Sequence, residues 1–277
     1  VRPLITVTLL CLFSTSYAFA AKNKSAQRIV ALSPHAVEML FAIGAGDRII
    51  GVVEHSDFPK EALVIERVGN YTGVQIERII ELDPDLVVVW SSGNQTQDIK
   101  KLRSLGLNLF DSHPQNLADI GNEIIALGKL TGLEKQANTL SKTLAERYQE
   151  IKDKYKSKNL VKVFYQLWHD PFRTLGPESW ISKMIEDCRG KNIFFDAHVD
   201  YPVVSLESIL VKNPEVIIIP DHSKNAKAHR GIWESWQQIS AVKNNQFYAL
   251  DGDLLHRFSP RAIDGLEQLC QAIDKAR

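Results

Sequence analysis

Aromatic, imidazole and charged side chains cluster just after apolar runs along this sequence. Ser33-Pro34-His35 follows the run Ile29-Val30-Ala31-Leu32, Tyr71 follows Val68-Gly69, and Trp90-Ser91-Ser92 follows Leu86-Val87-Val88-Val89. In the second half Trp168-His169-Asp170-Pro171-Phe172-Arg173 comes after Val161-Lys162-Val163-Phe164-Tyr165, and Asp253-Leu254-Leu255-His256-Arg257 comes after Tyr248-Ala249-Leu250. Tyr201-Pro202 precedes a helical stretch that carries Glu207. Rings offer large contact area at low entropic cost, while a few polar groups fix orientation. The chemistry implied is non-covalent capture of a broad, partly apolar ligand rimmed with hydrogen-bonding groups. Each position alone is more often a core or loop residue; their shared placement after strands points to a site.

Covalent chemistry has no comparable set of residues. No G-x-S-x-G elbow or P-loop is present, so neither acyl transfer nor nucleotide hydrolysis has its machinery. Gly44-Ala45-Gly46 follows a helical pattern, so it reads as a helix C-cap and not as a dinucleotide fingerprint. The eight histidines include no H-E-x-x-H, and no C-x-x-C accompanies them. His222 and His229, in a loop bearing Lys and Ala, read as solvated, whereas His35, His55, His113, His169, His198 and His256 fall near strand or loop ends. A dedicated metal-binding protein is therefore the lesser alternative, since closed zinc sites need four ordered ligands. The reading is a binding protein, not an enzyme, with no resident cofactor or metal.

Strand-like runs alternate with helical ones, which is an α/β pattern. The apolar run after Pro84 reads as a strand covered on both faces, and Leu107–Phe110 and Leu117–Leu127 read as the next strand and helix. The halves repeat: Ile76-Glu77-Arg78-Ile79 with Asp83-Pro84-Asp85 and a Val-rich strand matches Leu206-Glu207-Ser208-Ile209 with Asn213-Pro214-Glu215 and an Ile-rich strand, both at an offset of 130 residues. Between them Ala137, Leu140, Leu144, Tyr148, Ile151 and Tyr155 recur at helical spacing, and such a helix would extend about 35 Å at 1.5 Å per residue. The expected fold is two α/β lobes joined by one long rigid helix, with the ligand cleft between the lobes at the carboxyl ends of the strands. The divisions are 21–132 for the first lobe, 133–158 for the helix and 159–277 for the second lobe.

Residues 1–20 read as a cleavable signal peptide. Arg2 precedes an apolar run from Leu4 to Phe13, and Ala18-Phe19-Ala20 has the small-x-small pattern cut by signal peptidase. The run is too short for a membrane span, which needs roughly 20 apolar residues. A periplasmic location follows. Lys+Arg and Asp+Glu both number 33, so the broad basic surface of a nucleic-acid binder is not expected. With Cys11 removed, Cys188 and Cys270 are an even pair in an oxidising compartment. A disulfide is expected, two buried thiols being the alternative.

Several segments resemble the vitamin B12-binding proteins of periplasmic ABC importers. The residues that carry it are Ile29–Pro34, Ser56-Asp57-Phe58-Pro59, Ile76–Ile79, Pro84–Val87 with Trp90, Gly93-Asn94, Gly176 with Glu178-Ser179, Cys188 with Gly190, Asn192-Ile193-Phe194, Val204-Ser205 with Glu207, Arg257 with Ser259-Pro260-Arg261, and Leu269-Cys270. Many of these belong to a wider group that includes heme and siderophore binders; Trp90, the cysteine pair and the Arg257 segment narrow it. The resemblance implies cobalamin in the cleft, held by His55, Tyr71, Trp90, Arg173, Tyr201 and Asp253 to Arg257, with Ser33, Pro34 and Phe172 nearby. It also implies that Glu77 and Glu207 of a monomer dock on the permease subunits, where partner subunits hydrolyse ATP. His55 and Arg173 stand where the family pattern tends to be aromatic, Tyr71 and Tyr201 where it has Trp, and Leu254 is aliphatic. Heme, which His and Tyr can ligate, is the alternative ligand.

Overall fold

The structure is a computed structural model and describes residues 25–222 and 231–277. The expected signal peptide, Cys11 and His229 lie outside the described residues. Among the described residues no helix is long and apolar enough to cross a membrane.

Two four-stranded parallel sheets form the lobes. In the first the order is Ile49–Val52, Ile29–Ala31, Leu86–Val89, Leu109–Asp111. In the second it is Gly190–Asn192, Val161–Tyr165, Val216–Asp221, Phe247–Asp251. Both sheets thus run second, first, third, fourth in chain order, so the repeat seen in sequence is a repeat of topology. The strands after Pro84 and Pro214 occupy the same central place in each sheet and are buried throughout their apolar stretch. Helices Ile76–Glu81 and Leu206–Lys212 precede them at equivalent positions.

The expected amphipathic segment forms one helix, Glu134–Tyr155, of 22 residues, or about 33 Å. Its first half crosses helix Leu117–Thr131 closely, where a side chain on Gly128 would meet Ala137 Cβ at 2.3 Å. Its second half belongs to the other lobe: the Tyr148 hydroxyl donates to Asp187 Oδ2 at 2.6 Å and Arg147 pairs with Asp264 at 2.8 Å. Buried Ile151 and Tyr155 complete that seam.

Cys188, just past helix Trp180–Asp187, is bonded to Cys270 in helix Ala262–Asp274, with Cα atoms 4.7 Å apart and a sequence separation of 82. Closing a loop of that length removes about 4.5 kcal/mol of unfolded-chain entropy in the chain-entropy model. The bond ties the terminal helix to the second lobe.

Candidate functional site

Segments that leave the carboxyl ends of the strands in one lobe touch those of the other. Glu38 lies on helix Pro34–Ala42, which follows the first strand and is capped by Ser33, whose hydroxyl accepts from the Ala36 amide. From the second lobe Arg261 makes a bidentate contact with Glu38, Nη2 to Oε1 at 2.6 Å and Nε to Oε2 at 2.8 Å. Arg257 reaches the same carboxylate at 3.1 Å, Asp57 at 2.6 Å and Asp253 at 3.2 Å. The Arg261 guanidinium also lies 3.7 Å from the centroid of the Phe58 ring. The Glu38 side chain is 2% exposed and that of Arg257 12%, so these charges form an enclosed inter-lobe network where the two sets of strand ends meet. Desolvation works against the charge of Arg257, but the carboxylates of Asp57, Asp253 and Glu38 outweigh it and its pKa is raised despite burial.

On the first-lobe wall Trp90 is held from three directions. His35 meets it edge-on with centroids 5.2 Å apart, Asn94 Oδ1 accepts from its amide at 2.7 Å, and its ring covers Gly93, where any Cβ would lie 2.0 Å from the indole. His35 is buried, hydrogen-bonded to Ser112 at 2.8 Å, and burial lowers its pKa to about 3. It is a neutral support for the indole. Tyr71 sits at the tip of the two-stranded ribbon Gly69–Asn70 with Gly73–Val74 and is 75% exposed. His55 is exposed, with φ of 65°. Pro34 is half-buried.

On the second-lobe wall a ribbon pairs Trp168–His169 with Phe172–Arg173, and Arg173 bridges to Val203 beside Tyr201. Trp168, Arg173 and Tyr201 are exposed, while Phe172 leans on buried Trp233 with centroids 5.3 Å apart. A pocket of about 230 Å³ lies along this wall between Trp168, Pro220 and His222. A separate cavity of about 370 Å³ lies behind the hinge and is lined by helices, among them Leu117, Leu144 and Ile263, not by strand ends.

Several expected site residues have other surroundings. Ser33 is fully buried and caps its helix. Leu254 and Leu255 are 8% and 0% exposed; both side chains point into packed protein because the short helix Gly252–His256 turns its apolar side inward. Arg257 is committed to carboxylates instead of standing free. His222 is exposed, as expected, and also joins Asp253 and His256 through hydrogen bonds of 3.3 and 3.1 Å. Glu38 and Arg261 were missed as a pair, although a lone glutamate inside PHAVEMLFA was a signal of a buried charge needing partners. Glu77 and Glu207 are exposed in the first turns of their helices. The Glu207 carboxyl is held below the usual range by its own backbone N–H and the Ser205 hydroxyl. Among the described residues no group of three or more His, Cys, Asp or Glu side chains forms a ready metal cluster.

Two α/β lobes of one topology on a single bridging helix define the fold of a solute-binding protein of the helical-backbone kind. The family model "Periplasmic binding protein" matches residues 29–254, and the chain belongs to that family. It is 40% identical over 251 residues, 90% of each chain, to the vitamin B12-binding protein of Vibrio cholerae serotype O1. It is 34% identical over 267 residues to that of Vibrio parahaemolyticus, covering 96% of this chain and 95% of the relative. The solved structure of the periplasmic vitamin B12-binding protein BtuF of Vibrio cholerae matches with a TM-score of 0.84 and 39% identity, covering 91% of this chain and 98% of that one. The heme-binding protein HutB of the same organism matches with a TM-score of 0.78 at 19% identity, covering 88% and 98%, a likeness of fold alone.

Proposed function

We propose that this chain captures cobalamin in the periplasm and delivers it to an ABC importer. The observation that carries the reading is the likeness to vitamin B12-binding proteins, at 40% identity across both lobes and the connecting helix. The heme-binding neighbour shares the architecture at half that identity. The walls are of the right kind: Trp90 and Tyr71 on one side and Trp168, Phe172 and Tyr201 on the other suit a wide, partly apolar ring system. His55, Arg173, Asp253 and His256 suit its polar rim. Ser33, Leu254 and Leu255 act as supports behind the walls, and Arg257 as a tie between the lobes. Glu77 and Glu207 are the docking charges in this reading, placed at equivalent points of repeated lobes to meet a two-fold partner.

The test is calorimetry and visible spectroscopy of the purified chain with cyanocobalamin and hemin. Cobalamin should bind with a dissociation constant below 1 μM, about −8 kcal/mol or better, and hemin far more weakly. Tight hemin binding with a Soret shift and no heat from cobalamin would reverse the assignment.

A further inference from the structure

We propose that His222 and His256 form a two-imidazole site for one divalent transition ion of the Ni²⁺, Cu²⁺ or Zn²⁺ class, at the second-lobe wall of the cleft. The inference does not rest on the cobalamin reading, although the two share Asp253 and His256. Imidazole is the donor these ions favour, and a metal-binding imidazole needs its outer nitrogen fixed by a second group. Both conditions are met here. His222 Nδ1 lies 3.3 Å from Asp253 Oδ1, and His256 Nε2 lies 2.8 Å from the Tyr165 hydroxyl. The inner nitrogens, His222 Nε2 and His256 Nδ1, face each other at 3.1 Å with ring centroids 5.1 Å apart. Two nitrogens at that separation, each about 2.0–2.1 Å from a metal, subtend roughly 100° at it, between square-planar and tetrahedral geometry.

The proton positions follow from Asp253, which is ionised and can only accept. His222 Nδ1–H therefore donates to it, leaving Nε2 bare. His256 Nδ1–H donates to that nitrogen, and His256 Nε2 accepts from the Tyr165 O–H. An ion would replace the single proton between the rings. That proton moves to His256 Nε2, the Tyr165 oxygen turns to accept it, and no net proton is released. The seat is also shaped: any Cβ on Gly252 would lie 2.4 Å from the His222 ring, so only glycine lets the imidazole lie flat there. The His222 side chain is 53% exposed, which leaves the remaining coordination positions open to water.

The experiment is calorimetric titration of the ligand-free chain with Ni²⁺, paired with electron paramagnetic resonance of the Cu²⁺-loaded protein. One ion per chain should bind, with hyperfine structure from two imidazole nitrogens. His222→Ala, at a half-exposed position with folding checked by circular dichroism, should weaken binding at least tenfold and leave at most one nitrogen. His198→Ala, an exposed imidazole elsewhere, should change nothing. Absence of a saturable site, or unchanged affinity in His222→Ala, would overturn the proposal.

Discussion

Replacing Glu38 by glutamine removes one charge from the inter-lobe network while keeping its shape. The carboxylate is enclosed, 2% exposed, with Arg261 held bidentate and Arg257 at 3.1 Å. Breaking a buried pair by removing one partner costs about 3–5 kcal/mol, mostly because the other charge is left uncompensated. Two features move the figure to the low end: Arg257 keeps Asp57 and Asp253, and the Arg261 side chain is 21% exposed and rests on Phe58. The expected loss is about 3 kcal/mol. For a chain of this size that is roughly 6–12 °C in Tm, readable by circular dichroism or urea unfolding. A cycle with Arg261→Gln isolates the pair, and a coupling of at least about 1 kcal/mol is expected for groups in direct contact. A loss below about 0.5 kcal/mol, the range of ordinary surface substitutions, would refute the argument that these charges tie the lobes together.

Three further outcomes follow from the geometry. Trp90→Ala should weaken cobalamin binding by about 2 kcal/mol, near 30-fold, as loss of a buried aromatic anchor does; an unchanged titration would remove Trp90 from the site. Burial lowers His35 to about 3 and His256 to about 4, so the unfolded chain binds these protons first. Stability should accordingly hold above about pH 6.5 and fall as pH drops toward 4, by up to about 1.4 kcal/mol per pH unit for each ring. His35→Gln should remove about half of that histidine-derived slope in urea titrations across the window, and an identical slope would contradict it. The double reversal Glu77→Lys with Glu207→Lys should leave folding and cobalamin affinity intact while impairing importer association and uptake; full uptake would make these carboxylates ordinary surface charges.

The fold was legible where the sequence carried long-period information. The matched Ile76–Pro84 and Leu206–Pro214 segments anticipated two sheets of one topology, and the spacing from Ala137 to Tyr155 anticipated the bridging helix. The edge strand Leu109–Asp111 was legible as Leu107–Phe110, but the opposite edges were not. Gly51 interrupts the apolar residues of Ile49–Val52 and Gly190–Asn192 contains no apolar side chain; each pairs with a central neighbour that supplies its hydrogen-bond partners. The polar partners of exposed His222 were hidden for a related reason. It opens a loop bearing Lys and Ala, but the parallel pairing sets Asp221 opposite Asp251. The next residue on each strand then brings His222 over Gly252 and beside Asp253. Pairing register, and not local composition, decides its surroundings.

The tie at the cleft floor bears on how such a site recognises a large ligand. A helix along the back, an enclosed ion network between strand ends and a disulfide fixing the terminal helix leave little freedom for one lobe to close on the other. On the proposed reading, recognition would then come from side chains already in place. Trp90 meets that requirement, since Gly93 beneath it, His35 at its edge and Asn94 on its backbone leave its ring few alternatives. Tyr71 at 75% and Tyr201 at 48% exposure would be the opposite case, rings on a ribbon tip and a loop free to adjust to a ligand's periphery. A fixed floor with adjustable rims lowers the ordering cost of capture, because only a few rotamers are immobilised. On the proposed reading it would also keep helices Ile76–Glu81 and Leu206–Lys212 at a constant separation whether or not ligand is bound. A partner that reads Glu77 and Glu207 would therefore sense the loaded state through the cleft opening and the rim residues, not through a change in the spacing of the two carboxylates.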